Sequence, residues 1–235
     1  MNSLDEAMKR IATYEFGQSR QSLIEVAGFL RDSYGDPDRR KELRSRLTAL
    51  LSSDATADCK RFVCEQLSII GTAQEVPALA NLLTDENLSH MARLALERIP
   101  DAAAAAALRD ALPRAKGRVL IGIINSLGVR RDDQAVEHLT PLLADPDQSL
   151  AAAAAAALGK IGGPEAASAL DKAKTKASPK LHAVIADALL ACAEGFLARG
   201  KNEEAAKVYQ GLSGPGEIAH VRAAAIRGLK SAPQK

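Results

Sequence analysis

Apolar residues recur along the middle of the chain with a nearly constant period. The most regular are leucines at steps of 29, 31, 31 and 31 residues: Leu67, Leu96, Leu127, Leu158 and Leu189. An apolar or thiol residue lies eight positions before each leucine, and the residues between them continue one face of a helix. Each of these leucines is therefore predicted to lie near the C-terminal end of a helix that buries this face.

A second set of leucines keeps the same rhythm, at steps of 29, 31 and 31 residues: Leu79, Leu108, Leu139 and Leu170. Because the two sets stay in step, the repeating unit is a pair of helices, and a period of roughly 20 to 50 residues is typical of stacked repeats. No segment shows the alternation of a β-strand. Seven pairs are predicted: 3–34, 37–70, 72–99, 101–129, 132–161, 163–199 and 201–231.

Capping residues and breakers mark the predicted helix boundaries. A capping side chain followed by proline predicts helix starts at Asp36-Pro37, Asp145-Pro146 and Ser178-Pro179. Asp54 or Thr56 is predicted to cap the helix that reaches Ile70. Glycines predict helix ends at Gly71, Gly128, Gly162 and Gly200. Pro113 and Pro141 are predicted to end or kink their helices, because proline lacks the amide hydrogen that a helix needs.

The composition favours closely packed helices with a thin core. Aromatic residues make up only 3% of the 235 residues, and tryptophan is absent. Five of the seven aromatic residues fall in the first 62 positions: Tyr14, Phe16, Phe29, Tyr34 and Phe62. We expect these rings to fill the core of an atypical terminal repeat, with an aromatic binding edge as the alternative. The alanine run 151–157 is expected to let helices approach closely, unless it is compositional drift or the floor of a groove.

Charge and cysteine content limit the classes of function that the chain can have. The net charge of +2 gives no strong field to attract nucleic acid or an anionic membrane. Cys59, Cys64 and Cys192 cannot form a disulfide framework, so reduced and buried thiols are expected. No run of about 18 apolar residues occurs, and none is expected to span a membrane. The start of the chain lacks the pattern of a signal peptide, so a cytoplasmic location is expected by default; a mature exported form and a fragment of a larger protein stay open.

The amino-acid sequence of one unit resembles a HEAT repeat. Residues 145–150 (Asp-Pro-Asp-Gln-Ser-Leu), the alanine run and residues 158–162 (Leu-Gly-Lys-Ile-Gly) carry this resemblance. More narrowly, they resemble the short HEAT-like repeats of phycobilisome lyases, and the pattern extends over roughly 37–231. The stretch from Leu197 to Tyr209 also resembles half of a tetratricopeptide repeat. The resemblance implies an all-α fold, a right-handed α-α superhelix (α-solenoid) of about seven helix pairs.

One domain over residues 1–235 is expected from this resemblance. Residues 1–36 would form atypical capping helices, 37–199 the HEAT-like repeats and 200–235 a C-terminal helix pair. The family usually carries arginine directly after the first buried position of the second helix. Here that column reads Lys60, Ser89, Leu120, Ala151, His182 and Arg222. Only the last residue matches, so the chain keeps the packing pattern and departs from the polar one.

The resemblance also implies a binding face. In HEAT-like stacks the second helix of each pair lines the concave surface, which is the usual site for partners. Polar residues of the second helices are therefore predicted to bind a protein or peptide: Lys60, Arg61, Glu65, Ser89, His90, Arg93, Asn125, His182, Asp187, Arg222 and Arg227. Their mixed charge fits such a partner better than a polyanion.

Signatures of chemistry are missing from the sequence. The four histidines show no metal-ligand spacing, and Glu137-His138 reverses the His-Glu dipeptide of iron-binding HEAT-like hydroxylases. No nucleophile elbow or phosphate-binding glycine loop occurs, and no cofactor or catalytic residue is predicted. Arginines of the run 39–46 are expected on a solvated outer face. We therefore expect a non-enzymatic scaffold. The alternatives are a pigment-lyase-type enzyme subunit with a thiol-directed tetrapyrrole site and, less favoured, a nucleic-acid-binding protein.

Overall fold

The computed structural model describes residues 4–231, and these contain fourteen α-helices and no strand. The chain divides into two compact units between Val119 and Leu120. The first unit contains α1 (Leu4–Ala12), α2 (Gln21–Asp32), α3 (Pro37–Leu51), α4 (Ala57–Ile70), α5 (Val76–Ala80), α6 (Ser89–Arg98), α7 (Ala102–Ala111) and the start of α8 (Gly117–Arg130). The second unit contains the rest of α8, α9 (Val136–Leu139), α10 (Gln148–Ile161), α11 (Gly163–Lys174), α12 (Pro179–Ala198), α13 (Asn202–Leu212) and α14 (Ala219–Ser231).

These helices confirm the all-α solenoid class and the seven predicted pairs. Leucines of both periodic sets are buried, and Leu67, Leu96, Leu127 and Leu158 are fully so. Helices α4 and α6 pack side by side in the first unit, as do α10 and α12 in the second. The repeat period therefore places equivalent helices next to one another, as the burial of equivalent leucines requires. The prediction of a single domain over 1–235 stays a prediction.

Proline and the capping residues set most helix boundaries where the sequence predicts them. Helix α7 ends at Ala111 and α9 at Leu139, and 3₁₀ turns containing Pro113 and Pro141 follow. The Thr56 hydroxyl, rather than Asp54, caps α4 by accepting the Cys59 N–H at 3.1 Å. Side chains of Asp36 and Ser178 cap α3 and α12 as predicted.

Two boundary predictions are wrong. Helix α10 begins at Gln148, and its cap is Asp147, which accepts the N–H groups of Ser149 and Leu150. Asp145 instead accepts the Asp147 N–H at 2.8 Å, so the turn before the helix is two residues longer than predicted. Gly128 does not end α8, which continues to Arg130. It lies inside the helix, where a neighbouring helix comes close.

Glycine and alanine let the second helices of the second unit approach one another closely. A Cβ atom on Gly128 would lie 2.9 Å from the Ala157 Cα of α10, and one on Gly159 would lie 2.8 Å from the Ala188 Cα of α12. Cβ atoms essentially never approach carbon so closely, so these two positions require glycine. The expected close approach at the alanine run is confirmed.

Most charges of the basic run 39–46 are paired within the first unit. Arg44 is almost buried and forms a salt bridge with buried Glu75 at 3.4 Å, so the prediction that it lies on a solvated face is wrong. Glu75 also accepts the Thr72 N–H at 2.7 Å, in a capping box before α5. Arg39 pairs with Asp36, Arg46 pairs with Asp5 and Glu42, and the Arg40 guanidinium lies 5.7 Å from the centre of the Tyr34 ring.

All three thiols are buried, as predicted. Burial raises the pKa of Cys59 to about 11, despite the opposing charge of Lys60, and the pKa of Cys64 to about 12. Burial likewise raises the pKa of Cys192 to about 12, against the charge of Arg199. The thiols are therefore protonated at neutral pH, and they contribute to packing.

One helix within residues 4–231, α12, is long and apolar enough to cross a membrane, and 44% of its apolar window is buried in the protein. It packs against α10, α11 and α13. Helices at the core of a helical stack have the same length and composition. Asp187 and Glu194 interrupt its apolar run, which is why the sequence did not predict a span. Location in the cell stays a prediction.

Candidate partner-binding surface

A groove of about 500 Å³ opens in the first unit beside the α1–α2 connection. We call it the apolar groove, since its floor and walls include Phe16, Leu23, Ile24, Ala27, Phe62 and Met91. Phe16 is 91% exposed and Ile24 61% exposed, so large apolar side chains stand open to solvent. Isolated exposed apolar residues are common in proteins, whereas several around one concave surface are typical of a binding site.

Hydrogen bonds to α4 hold the exposed Phe16 in place. Its N–H donates to the Asp58 Oδ2 at 2.9 Å, and the Thr56 hydroxyl donates to the Tyr14 carbonyl. Asp58 also pairs with Arg61, one turn further along the helix. Hydrogen bonds from the Phe16 N–H and from Arg61 lower the pKa of Asp58. These hydrogen bonds fix the backbone of the α1–α2 connection, and the Phe16 side chain projects from it into solvent.

The aromatic residues near the N-terminus divide between the two roles that the sequence left open. Tyr14 is buried and contributes to the core of the first unit. Phe16 and Tyr34, at 91% and 85% exposed, do not, so the expectation that all five rings fill a capping core is wrong for these two. Phe16 and half-buried Phe62 line the apolar groove, as expected of an aromatic binding edge.

A second cavity of about 440 Å³ lies next to the groove. We call it the basic cleft; its lining is Arg61, Glu86, Asn87, Ser89, His90, Arg93, Arg118 and Val119. Arg61 lines both cavities, so the groove and the cleft are adjacent and share this side chain. Burial lowers the pKa of Arg93, although the nearby charge of Glu97 opposes this shift. The surface therefore has an apolar part and a positively charged part, joined at Arg61.

The structure brings together five of the eleven predicted partner-binding residues. Those that line the groove or the cleft are Arg61, Glu65, Ser89, His90 and Arg93. Ser89 is nevertheless buried, with only 2% of its surface exposed, and differs from the open surface residue that helical periodicity predicts. Lys60 and Asn125 are half-buried and line neither cavity.

The predicted residues of the second unit are mostly engaged within it. His182 Nε2 lies 3.0 Å from the Glu217 Oε2, and Asp187 Oδ1 lies 3.2 Å from His220 Nε2. Arg222 donates to the Pro215 carbonyl at 3.5 Å. Arg227 is exposed and makes no interaction of this kind within the described residues 4–231. The predicted binding face is therefore best formed in the first unit.

Residues missed by the sequence-based prediction complete the surface: Phe16, Arg20, Ile24, Phe62 and Arg118. The sequence-based prediction considered only polar residues of the second helices. Arg20 precedes α2 and Ile24 lies in its first turn, in a terminal pair that has none of the periodic leucines, and Arg118 precedes the buried Val119. The cluster of aromatic residues was the available signal for Phe16 and Phe62. Within residues 4–231, no three His, Cys, Asp or Glu side chains lie together as candidate metal ligands.

Comparison with known proteins identifies the repeat. Residues 107–190 match the family of HEAT repeats. This range runs from within α7 into α12 and includes residues 145–162, whose sequence resembles a HEAT repeat. The HEAT prediction is therefore confirmed for this range. The tetratricopeptide-like segment stays a prediction. No curated protein sequence matches the chain.

Several solved structures have a similar helical architecture. The complex of CpcE and CpcF of phycocyanin lyase from Nostoc sp. PCC7120 matches with 19% identity, 99% coverage of this chain, 96% of that chain and a TM-score of 0.46. An engineered protein matches with 20% identity, 97% and 69% coverage and a TM-score of 0.49. Human deoxyhypusine hydroxylase matches with 17% identity, 96% and 94% coverage and a TM-score of 0.40. Likeness at this level concerns architecture and assigns no activity.

Proposed function

We propose that this protein is a non-enzymatic scaffold that binds a protein or peptide partner on the first unit. The observation that carries the proposal is that the apolar groove and the basic cleft are adjacent and share Arg61 in their lining. Apolar anchors beside charged groups are the combination by which folded domains hold peptides with both affinity and register. HEAT repeats suit such a role, because a stack of helix pairs presents long surfaces.

A neutral double variant tests the proposed surface. Arg61→Gln with Arg93→Gln removes two positive charges and keeps much of the side-chain volume. We expect binding of a partner, isolated with the wild-type chain and then purified, to weaken about tenfold or more by isothermal titration calorimetry. Lys160→Gln with Lys207→Gln is the matched control, because both lysines are exposed in the second unit. Equal affinity of both double variants would place the partner elsewhere.

An enzyme of the pigment-lyase type is the less supported function. Attachment of a tetrapyrrole to this chain would need an accessible, ionisable cysteine, whereas Cys59, Cys64 and Cys192 are buried and have raised pKa values. Purified protein mixed with a bilin is expected to show no change in the absorbance spectrum. A new absorbance band that depends on one of the cysteines would favour the enzyme instead.

A further inference from the structure

The basic cleft contains a buried hydroxyl group that has no hydrogen-bond partner within residues 4–231. Ser89 is the first residue of α6, and its Oγ is buried and makes no hydrogen bond within the described residues. It does not cap the helix, because the side chain of Asp85 already accepts the N–H groups of Asn87 at 2.7 Å and Leu88 at 3.0 Å. A buried hydroxyl without a partner costs free energy, and such groups are uncommon in folded proteins; a bound water, ion or ligand group is one way to satisfy them.

Positive charge converges on the same place. Arg93 lies one helical turn after Ser89, Arg61 projects from α4, and Arg118 from the start of α8. Arg118 is exposed and makes no ion pair in the part of the chain that the structure describes. The N-terminus of α6 adds the positive end of its dipole, which the Asp85 carboxylate beside Asn87 and Leu88 offsets in part. Glu86 is the one carboxylate of the lining, while Asp58 pairs with Arg61 and Glu97 lies near Arg93. Arg118 is therefore the arginine of the cleft whose charge no carboxylate within residues 4–231 offsets by an ion pair.

We propose that the basic cleft binds a phosphomonoester group carried by the protein or peptide partner, an inference that rests on the proposed scaffold function. A phosphate dianion presents three oxygens to donors, which suits guanidinium forks on more than one side together with a hydroxyl donor. A carboxylate offers only two oxygens and a single charge. The apolar groove beyond Arg61 then receives apolar residues next to the phosphorylated one.

Titration with inorganic phosphate tests the site without a partner. We expect a saturable change in the amide resonances of Ser89 and Arg93 at constant ionic strength, and no saturable change with chloride. Arg118→Gln should weaken this binding about fivefold or more, since it removes a charged donor that no other side chain holds. Lys207→Gln should leave it unchanged. Changes that do not saturate, or that persist in Arg118→Gln, would overturn the inference and indicate an adventitious ion only.

Ser89→Ala separates a ligand-binding role from a structural one. Because the hydroxyl has no partner in the protein, its removal should leave the melting temperature unchanged or raise it slightly. Phosphate binding should nevertheless weaken about threefold or more, by loss of one donor. A lower melting temperature with unchanged phosphate affinity would show that the hydroxyl serves the fold, and would overturn its assignment to the site.

Peptides test whether the phosphate belongs to a partner. The probe is a degenerate peptide pool with a central phosphoserine flanked by apolar residues, compared with the same pool carrying serine. The phosphorylated pool should be retained about tenfold better on the immobilised wild-type chain, and this advantage should vanish with Arg118→Gln. Equal retention of the two pools would overturn the partner-borne phosphate, even where inorganic phosphate binds.

The two proposals fail in different ways. A purified partner that binds wild type and Arg118→Gln equally, and still does so after phosphatase treatment, overturns the phosphate inference and leaves the scaffold function standing. A partner indifferent to Arg61→Gln with Arg93→Gln overturns the proposed surface itself, whatever inorganic phosphate does at the cleft.

Discussion

The side chain of Glu217 shows how a single buried charge organises the connection between α13 and α14. It accepts hydrogen bonds from Lys174 Nζ at 2.6 Å and is 3.0 Å from His182 Nε2, and Lys174 also donates to the Gly211 carbonyl. Burial alone raises the pKa of Glu217, but the hydrogen bonds and charges of Lys174 and His182 outweigh it, and the pKa lies below its usual value. This carboxylate therefore fixes the connection to α11 and α12 only while it is ionised.

Glu217 should make the stability of the protein depend on acidity. Because its pKa is lower in the folded state, its contribution is complete above the unfolded pKa of about 4.5 and is lost as the pH falls through the folded value. Glu217→Gln should lower the free energy of unfolding by roughly 1–3 kcal/mol at pH 7, with a smaller loss toward pH 3. Denaturant unfolding at both pH values measures this. Glu203→Gln, at an exposed position of α13, is the control and should change little.

His182, Ser89 and Arg44 show what the sequence could not predict at the scale of the residue. Helical periodicity assigns each side chain to a face, and it did so from one helix at a time. Whether a polar residue on that face meets solvent depends on neighbours that periodicity does not contain. Glu217 lies 35 residues from His182, and Glu75 lies 31 residues from Arg44. The candidate site was therefore predicted in part, through positions whose partners are local.

Close contacts between second helices recur at the period of the repeat. Gly128 and Gly159 are 31 residues apart, and so are Ala157 and Ala188, the residues they meet. Helix α8 thus presents a glycine to α10, and α10 presents a glycine to α12 at the equivalent position. The alanine run is explained by this geometry, because longer side chains would hold the helices apart.

Gly159→Ala should destabilise the second unit although alanine favours helices. The added Cβ would lie 2.8 Å from the Ala188 Cα, so α10 and α12 would have to separate. We expect a loss of about 1–3 kcal/mol in the free energy of unfolding, larger than the gain of roughly 1 kcal/mol from helix propensity. Gly195→Ala is the matched control inside α12: its Cβ would meet only the flexible end of Arg199 at 3.5 Å, and it should be neutral or stabilising. Equal effects of both variants in urea denaturation would disprove the close contact.

The pairing of helices was predictable from the sequence because it depends on the spacing of the buried leucines, which does not require particular residues at other positions. The residues at which helices begin and end were harder to predict. Both Asp145 and Asp147 can cap a helix that contains Leu150, and only the actual turn decides between them. Gly128 matches a helix-ending signal, yet it serves interhelical contact, and a glycine supports both uses equally well.

The charge of the whole chain bears on the remaining functional alternative. The net charge is +2, and three of the four arginines of the densest basic run pair with Asp36, Glu42, Glu75 and Asp5. Binding to duplex DNA depends on releasing counterions with several unpaired cations along one surface. Breaking these ion pairs to contact phosphates would cost part of the gain. A single phosphate group in the basic cleft is compatible with this charge distribution, and a nucleic-acid track along α3 is not.

We therefore expect the full chain to flow through a column of immobilised duplex DNA without being retained at about 50 mM salt, where electrostatic binding to DNA is strong. Arg39→Glu with Arg46→Glu should leave the elution unchanged, since those arginines already face carboxylates. Retention that falls steeply with salt and is abolished by this double variant would instead identify α3 as a nucleic-acid surface. Retention reduced by Arg118→Gln alone would reflect the basic cleft meeting backbone phosphate, because that side chain is the exposed arginine of the cleft without an ion pair in residues 4–231.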